Sequence, residues 1–180
     1  MADTAQEQIS TTDPDSRKLA VRQNILEVCY NIQASVDDKH NLPIDFKTTN
    51  NNDTHALANM VTRVKVILGN IEFVELADKG YHTGEEIRKC HEAGIETLVA
   101  IPKTPVSSQA PDPAYNQDQF QYDKEHDYYL CTKSEKGRVI ERNETIEATQ
   151  RNKQAIENNK ELYKRRQEIV EHPFGTIKRQ

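Results

Sequence analysis

The chain has 180 residues, of which 35% are hydrophobic and 29% charged, with a formal net charge of −5 and a pI near 5.7. That length makes one domain with a lean core, and the acidic balance excludes a surface that grips nucleic acid all over while leaving room for a local basic face. No run approaches the roughly 18 apolar residues of a membrane span, the start has no basic-then-apolar leader pattern, and three dispersed cysteines with no CxxC pair read as reduced thiols of a cytosolic protein.

Residues 1–11 are polar and are expected to form a disordered tail. "VCYNIQASV" alternates with period two, which predicts a half-buried strand with Val28, Tyr30, Ile32, Ala34 and Val36 on the inner face. "DDKHNLP" is turn chemistry, and "IDFKTT" returns as the second strand of an antiparallel hairpin. Asp53 or Thr54 is placed to cap a helix whose stripe is Leu57, Val61, Val64 and Leu68, with Gly69 as its stop. "IEFVELA" reads as an inner strand covered on both faces. Thr83 and Glu86 stand at capping-box spacing at the start of a short helix that Gly94 ends, and "IETLVAIP" is another strand. Residues 103–142 form an irregular insertion, proline-bearing loop first, with exposed strands in "FQYDKEHDYYLC" and "GRVIER". From about Asn143 to Val170 the chain is strongly helix-forming, with Ile156, Tyr163 and Val170 at heptad spacing, and Pro173 is expected to force a kink or restart. The order predicts a mixed α/β domain around one sheet.

The chemistry-bearing residues are few. Asp78 ends the predicted inner strand, and strand tips are where α/β sheets place ligands; a turn using Asp78 and Gly80 for geometry alone is the competing reading. "TTDPDSR" offers Asp13 and Asp15 in a surface turn. Glu171 lies just before Pro173 in the last helix. Six histidines are dispersed with no HxxxH or HxH spacing, which argues against zinc. Phosphate-cradling and esterase-elbow glycine motifs are lacking.

In combination, "TDPDSR", "YNIQASVDDKHNLPIDF", "ADKGYHTGEEIRKCHEAGI", "YDKEHDYYLC" and "RRQEIVEHPFGTIKR" resemble the catalytic domain of DDE transposases of bacterial insertion sequences. The resemblance runs from about residue 12 to the end. It implies an RNase H-like mixed sheet with an antiparallel hairpin, flanking helices, an irregular insertion over 103–142 and a long C-terminal helix over 143–180 carrying the third acid. It assigns the catalytic and metal-holding acids to Asp13, Asp78 and Glu171, with Asp15 the weaker candidate for the first. It implies Mg²⁺, with Mn²⁺ as substitute, and DNA contacts from Tyr163, Arg166, Lys178 and Arg179. The arginine-to-glutamate gap is one residue longer than the commonest family spacing. DNA at the element's ends and at the target is the implied partner, a second copy or an intact transposase a further one. The expected location is the cytoplasm, on nucleoid DNA. Relatives carry a helical region before the first acid and continue past "GTIKR", so the chain is expected to be a truncated copy of impaired activity. The alternative is a non-catalytic remnant that binds element DNA or intact transposase and inhibits it.

Overall fold

A computed structural model describes residues 10–22, 25–103, 112, 119–131 and 138–177, without the side chains of 22, 167 and 170–177. Most of the expected N-terminal tail and part of the insertion therefore lie outside the described residues.

The fold is mixed α/β. An antiparallel hairpin comes first, β1 (Arg17–Arg22) with β2 (Ile25–Cys29), then a second, β3 (Asn31–Val36) with β4 (Pro43–Thr49). Helix α1 (Leu57–Ile67) leads to β5 (Val74–Ala77), and α2 (Gly84–Glu92) leads to β6 (Glu96–Val99), which runs parallel to β5. Strands β7 (Phe120–Asp123), β8 (Tyr128–Cys131) and β9 (Val139–Glu141) form an antiparallel sheet within the stretch 103–142. Helices α3 (Ile146–Asn158) and α4 (Lys160–Ile177) complete the order. This mixture of antiparallel hairpins, a parallel pair and flanking helices is consistent with an RNase H-like fold. No helix among the described residues is long and apolar enough to cross a membrane.

The core is built on the parallel pair. Leu57 and Val61 of α1, Ile87 and Cys90 of α2, and Ala148 of α3 close over Ala77 and Val99. Leu57, Val61 and Val64 are buried as the helical stripe requires. Gly69 and Gly94 stop their helices at φ +71° and +69°, where a side chain would be strained.

Five expectations need correction. The first is the single sheet: the described strands form four separate small sheets, and β3 and β5 are not hydrogen-bonded to each other. The second is the strand from Val28 to Val36, which breaks at Tyr30, so that β2 pairs with β1 and β3 with β4. Its inner face is also reversed. Ile32 is 60% exposed while Gln33 and Ser35 are buried, because β3 turns its polar side inward, where the Gln33 amide meets the Asp53 carboxylate. The third is the inner strand, which is short: Ile71 and Val74 are exposed and only Val74–Ala77 is extended.

The fourth correction concerns the caps. Thr83 does precede α2, but its hydroxyl donates to the Thr54 carbonyl at 2.7 Å. Glu86 reaches across to accept the Ala58 N–H at 3.0 Å, satisfying a free donor in the first turn of α1. The capping-box pair thus tethers α2 to α1 and its approach. The fifth is the long helix, which breaks at Asn159 and then runs across position 173 to Ile177. The Asn159 amide donates to the Ala155 carbonyl at 2.9 Å, and the Asn159 carbonyl accepts the Tyr163 N–H at 2.9 Å to begin the next helix.

Candidate active site

Strand β5 delivers Asp78 to its C-terminal end, beside the end of β6, where the Ala77 carbonyl accepts the Ala100 N–H at 3.0 Å. Asp78 caps the 3₁₀ turn Lys79–Tyr81, and its Oδ1 accepts the Lys79 N–H at 2.8 Å. Arg166 of α4 approaches the same oxygen, with Nη2 3.5 Å away. A second nitrogen of Arg166 donates to the Ala77 carbonyl at 3.4 Å and to the Tyr163 hydroxyl at 3.2 Å. The guanidinium lies 5.0 Å from the Tyr163 ring centre, a cation–π distance. Three of the residues singled out in the sequence, Asp78, Tyr163 and Arg166, therefore meet at one strand tip. Arg166 side-chain exposure is 15% and that of Asp78 is 67%. The acid is open to solvent, and the cation that neutralises it is packed.

Asp13 sits in the turn before β1. Its Oδ1 accepts the Tyr30 hydroxyl at 3.0 Å and the Asp15 N–H at 3.2 Å, and its carbonyl accepts from the Ser16 hydroxyl at 2.7 Å. Asp15 is exposed and Asp13 half-buried. Among the described residues no side chain bonds to both Asp13 and Asp78. Glu171 lies on α4 five positions past Arg166, roughly 7.5 Å along the helix axis, and its side chain is outside the described residues. Lys178 and Arg179 lie outside them entirely.

A cavity of about 280 Å³ opens beside Asp78, lined by Gln33 and Ser35 of β3, Glu75 of β5, Tyr81 and Arg166. Sequence reasoning passed over Glu75, although a charged residue inside "FVELA" is a visible anomaly. Its carboxyl has no hydrogen-bond or ion-pair partner among the described residues, and burial pushes it up to about 7. Burial, followed by the charges of Asp53, Glu75 and Asp78, raises the Tyr81 phenol well above its ordinary range. Burial, with Glu75 and Glu86 adding to it, pushes the Cys90 thiol up to about 12, so it is an inert core thiol.

Glu75 predicts a pH dependence of stability. Its folded value of about 7 exceeds the ordinary 4.5, so the folded chain holds the proton more tightly. The stabilising contribution is complete below pH about 4.5 and is lost as pH rises to about 7. Glu75→Gln should therefore stabilise the protein by about 3 kcal/mol at pH 8 and by almost nothing at pH 4. Urea titrations of both proteins at the two pH values measure this, and an equal effect at both would show that the carboxyl titrates normally.

Hard oxygen donors suit Mg²⁺, and the chemistry of Asp13 and Asp78 fits it. Asp78 keeps Oδ2 without a partner among the described residues, which leaves an oxygen to ligate a cation. Among the described residues, however, no three acidic, histidine or cysteine side chains are grouped closely enough to hold a metal.

The family model for the transposase DDE domain matches residues 9–180. The chain belongs to that family. No curated protein and no solved structure matches it.

Proposed function

We propose that this chain cleaves the phosphodiester bond at the end of an insertion sequence and joins the freed 3′-hydroxyl to target DNA. The observation that carries the reading is Asp78 at the tip of β5, held by the Lys79 N–H and faced by Arg166, in a chain that the transposase DDE domain matches over residues 9–180. Asp13, Asp78 and Glu171 are the carboxylates that would hold Mg²⁺ or Mn²⁺. When bound, the ions supply charge stabilisation at the attacking and leaving oxygens of the displacement.

The chain's own residues do the rest. The Lys79 N–H fixes the Asp78 rotamer. Arg166, supported by the Tyr163 ring and hydroxyl, offsets carboxylate repulsion and is placed to take a phosphate oxygen. Lys178 and Arg179 contribute phosphate contacts from the C-terminal end. Residues 12–180 act as one catalytic domain with 103–142 as an insertion, and its place of action is the cytoplasm, on the nucleoid DNA.

The test is incubation of the purified chain with labelled insertion-sequence ends and a supercoiled target, in Mg²⁺ and in Mn²⁺. The expected products are end-specific nicks with 3′-hydroxyls and joined molecules. Cleavage without joining would point to an RNase H-like nuclease, and absence of metal-dependent cleavage would overturn the catalytic reading in favour of a truncated, non-catalytic copy that binds element DNA or intact transposase.

A further inference from the structure

We propose that the loop Asn50–Thr54 is a spacer that fixes the separation between the Asp13 turn and the Asp78 turn, with Asp53 as its positioning residue. The proposal rests on the active-site reading above only for its catalytic meaning.

The two aspartates come from distant parts of the chain and share no bonded partner among the described residues, yet this loop touches both their surroundings. On one side, Asn50 Nδ2 donates to the Asp15 carbonyl at 3.1 Å, within the turn that Asp13 opens. Asn31 follows Tyr30, whose hydroxyl donates to Asp13, and Asn31 Nδ2 donates to the Asn51 carbonyl at 3.1 Å and to Asp53 Oδ1 at 2.7 Å. Gln33, only 3% exposed, adds a second amide on Asp53 Oδ1 at 3.1 Å.

On the other side, Gly80 follows Asp78 by two residues and lies directly against Asp53. A Cβ built on Gly80 would stand 3.0 Å from Asp53 Oδ2. Just past that turn, at the start of α2, the Thr83 hydroxyl donates to the Thr54 carbonyl at 2.7 Å. One carboxylate is thus pinned by β3 through one oxygen and meets the second acid's turn through the other. Charge-assisted bonds to two amides are strong, and loss of the carboxylate would strand the buried Gln33 amide. A helix-capping role does not account for this, because the residue preceding α1 is Ala56 and the side chain that takes a first-turn N–H of that helix is Glu86.

The test measures the separation directly. Spin labels are placed at Asp15→Cys and Lys79→Cys, both exposed positions, in a Cys29→Ser background, and the label distance is read by pulsed electron paramagnetic resonance without metal. The parent should give one narrow distribution. Asp53→Ala should at least double its width, Asp53→Asn should restore most of the sharpness, and Gly80→Ala should shift the mean. Val64→Ala, a core truncation in α1, serves as the control for simple destabilisation and should leave the width unchanged. A narrow distribution in Asp53→Ala, or equal broadening in Val64→Ala, overturns the proposal. A parallel Mn²⁺ titration separates the two readings. Where the parent binds Mn²⁺ through Asp13 and Asp78, Asp53→Ala should weaken binding about tenfold, as loss of a supporting contact does, and unchanged affinity would count against the spacer. A parent that does not bind Mn²⁺ defeats the active-site reading, while the distances still decide the spacer.

Discussion

Asn152→Ala should lower stability by about 3–5 kcal/mol, the largest loss expected from a single polar side chain in this fold. Asn152 lies on α3 and is 0% exposed. Its Oδ1 accepts the Val99 N–H at 2.8 Å and the Thr97 hydroxyl at 3.3 Å, and its Nδ2 donates to the Val99 carbonyl at 2.9 Å. In a parallel ladder the N–H and C=O of one residue point to the same side. For Val99 that side meets α3, so the Asn152 amide stands in for the missing peptide group of a further strand. Truncation leaves the buried Val99 N–H and carbonyl unsatisfied at once, while the Thr97 hydroxyl keeps His91 Nε2 at 3.2 Å. Thermal melting should move down by about 10 °C for a chain of this size. Asn152→Asp should be no better, since a carboxylate cannot donate to the Val99 carbonyl and would be buried with its charge. A loss under about 1 kcal/mol would mean that water reaches the edge of β6.

How far these features could be read from sequence depends on whether their cause is local. Gly69 and Gly94 were legible because a helix stop at positive φ favours glycine whatever packs around it. Asp78 was legible because a short β-rich run ends on it. The inward face of β3 was not: alternation defines two faces, and which one is buried depends on Asp53, a residue with polar partners some twenty positions away. The break at Asn159 was hidden for a similar reason. Ile156 and Tyr163 keep heptad spacing straight across it, and the side-chain bond from Asn159 to Ala155 leaves no mark in the pattern. Thr83 and Glu86 have the spacing of a capping box but serve partners in another segment, so correct local chemistry pointed to the wrong bond. The resemblance supplied the site residues. The sequence alone did not show that Tyr163 and Arg166 reach Asp78, because that meeting needs α4 folded back onto the tip of β5.

That meeting gives the last prediction, which separates the work of the acid from that of its cation. Asp78→Asn keeps an acceptor for the Lys79 N–H and should leave the fold intact, with thermal stability within a few degrees of the parent. It removes a carboxylate from the proposed reacting centre, and on that reading cleavage should fall by at least about 10³-fold, a loss of about 4 kcal/mol of transition-state stabilisation. DNA affinity should hold or rise, because Arg166 loses its counter-charge at 3.5 Å and keeps its place through Ala77 and Tyr163. Arg166→Ala should weaken DNA binding and also reduce the slope of log affinity against log salt by about one unit, the signature of one lost phosphate contact. Arg166→Lys should recover the slope but only part of the cleavage rate, since a lysine lacks the planar fork that spans the Ala77 carbonyl, the Tyr163 hydroxyl and Asp78 together. Filter binding across a salt series, run beside the cleavage assay, resolves the two effects. If Arg166→Ala left the salt slope unchanged, Arg166 would be an internal brace for Asp78 and the DNA would lie elsewhere. If Asp78→Asn cut DNA at the parent's rate, the carboxylate at the tip of β5 would be a turn residue after all.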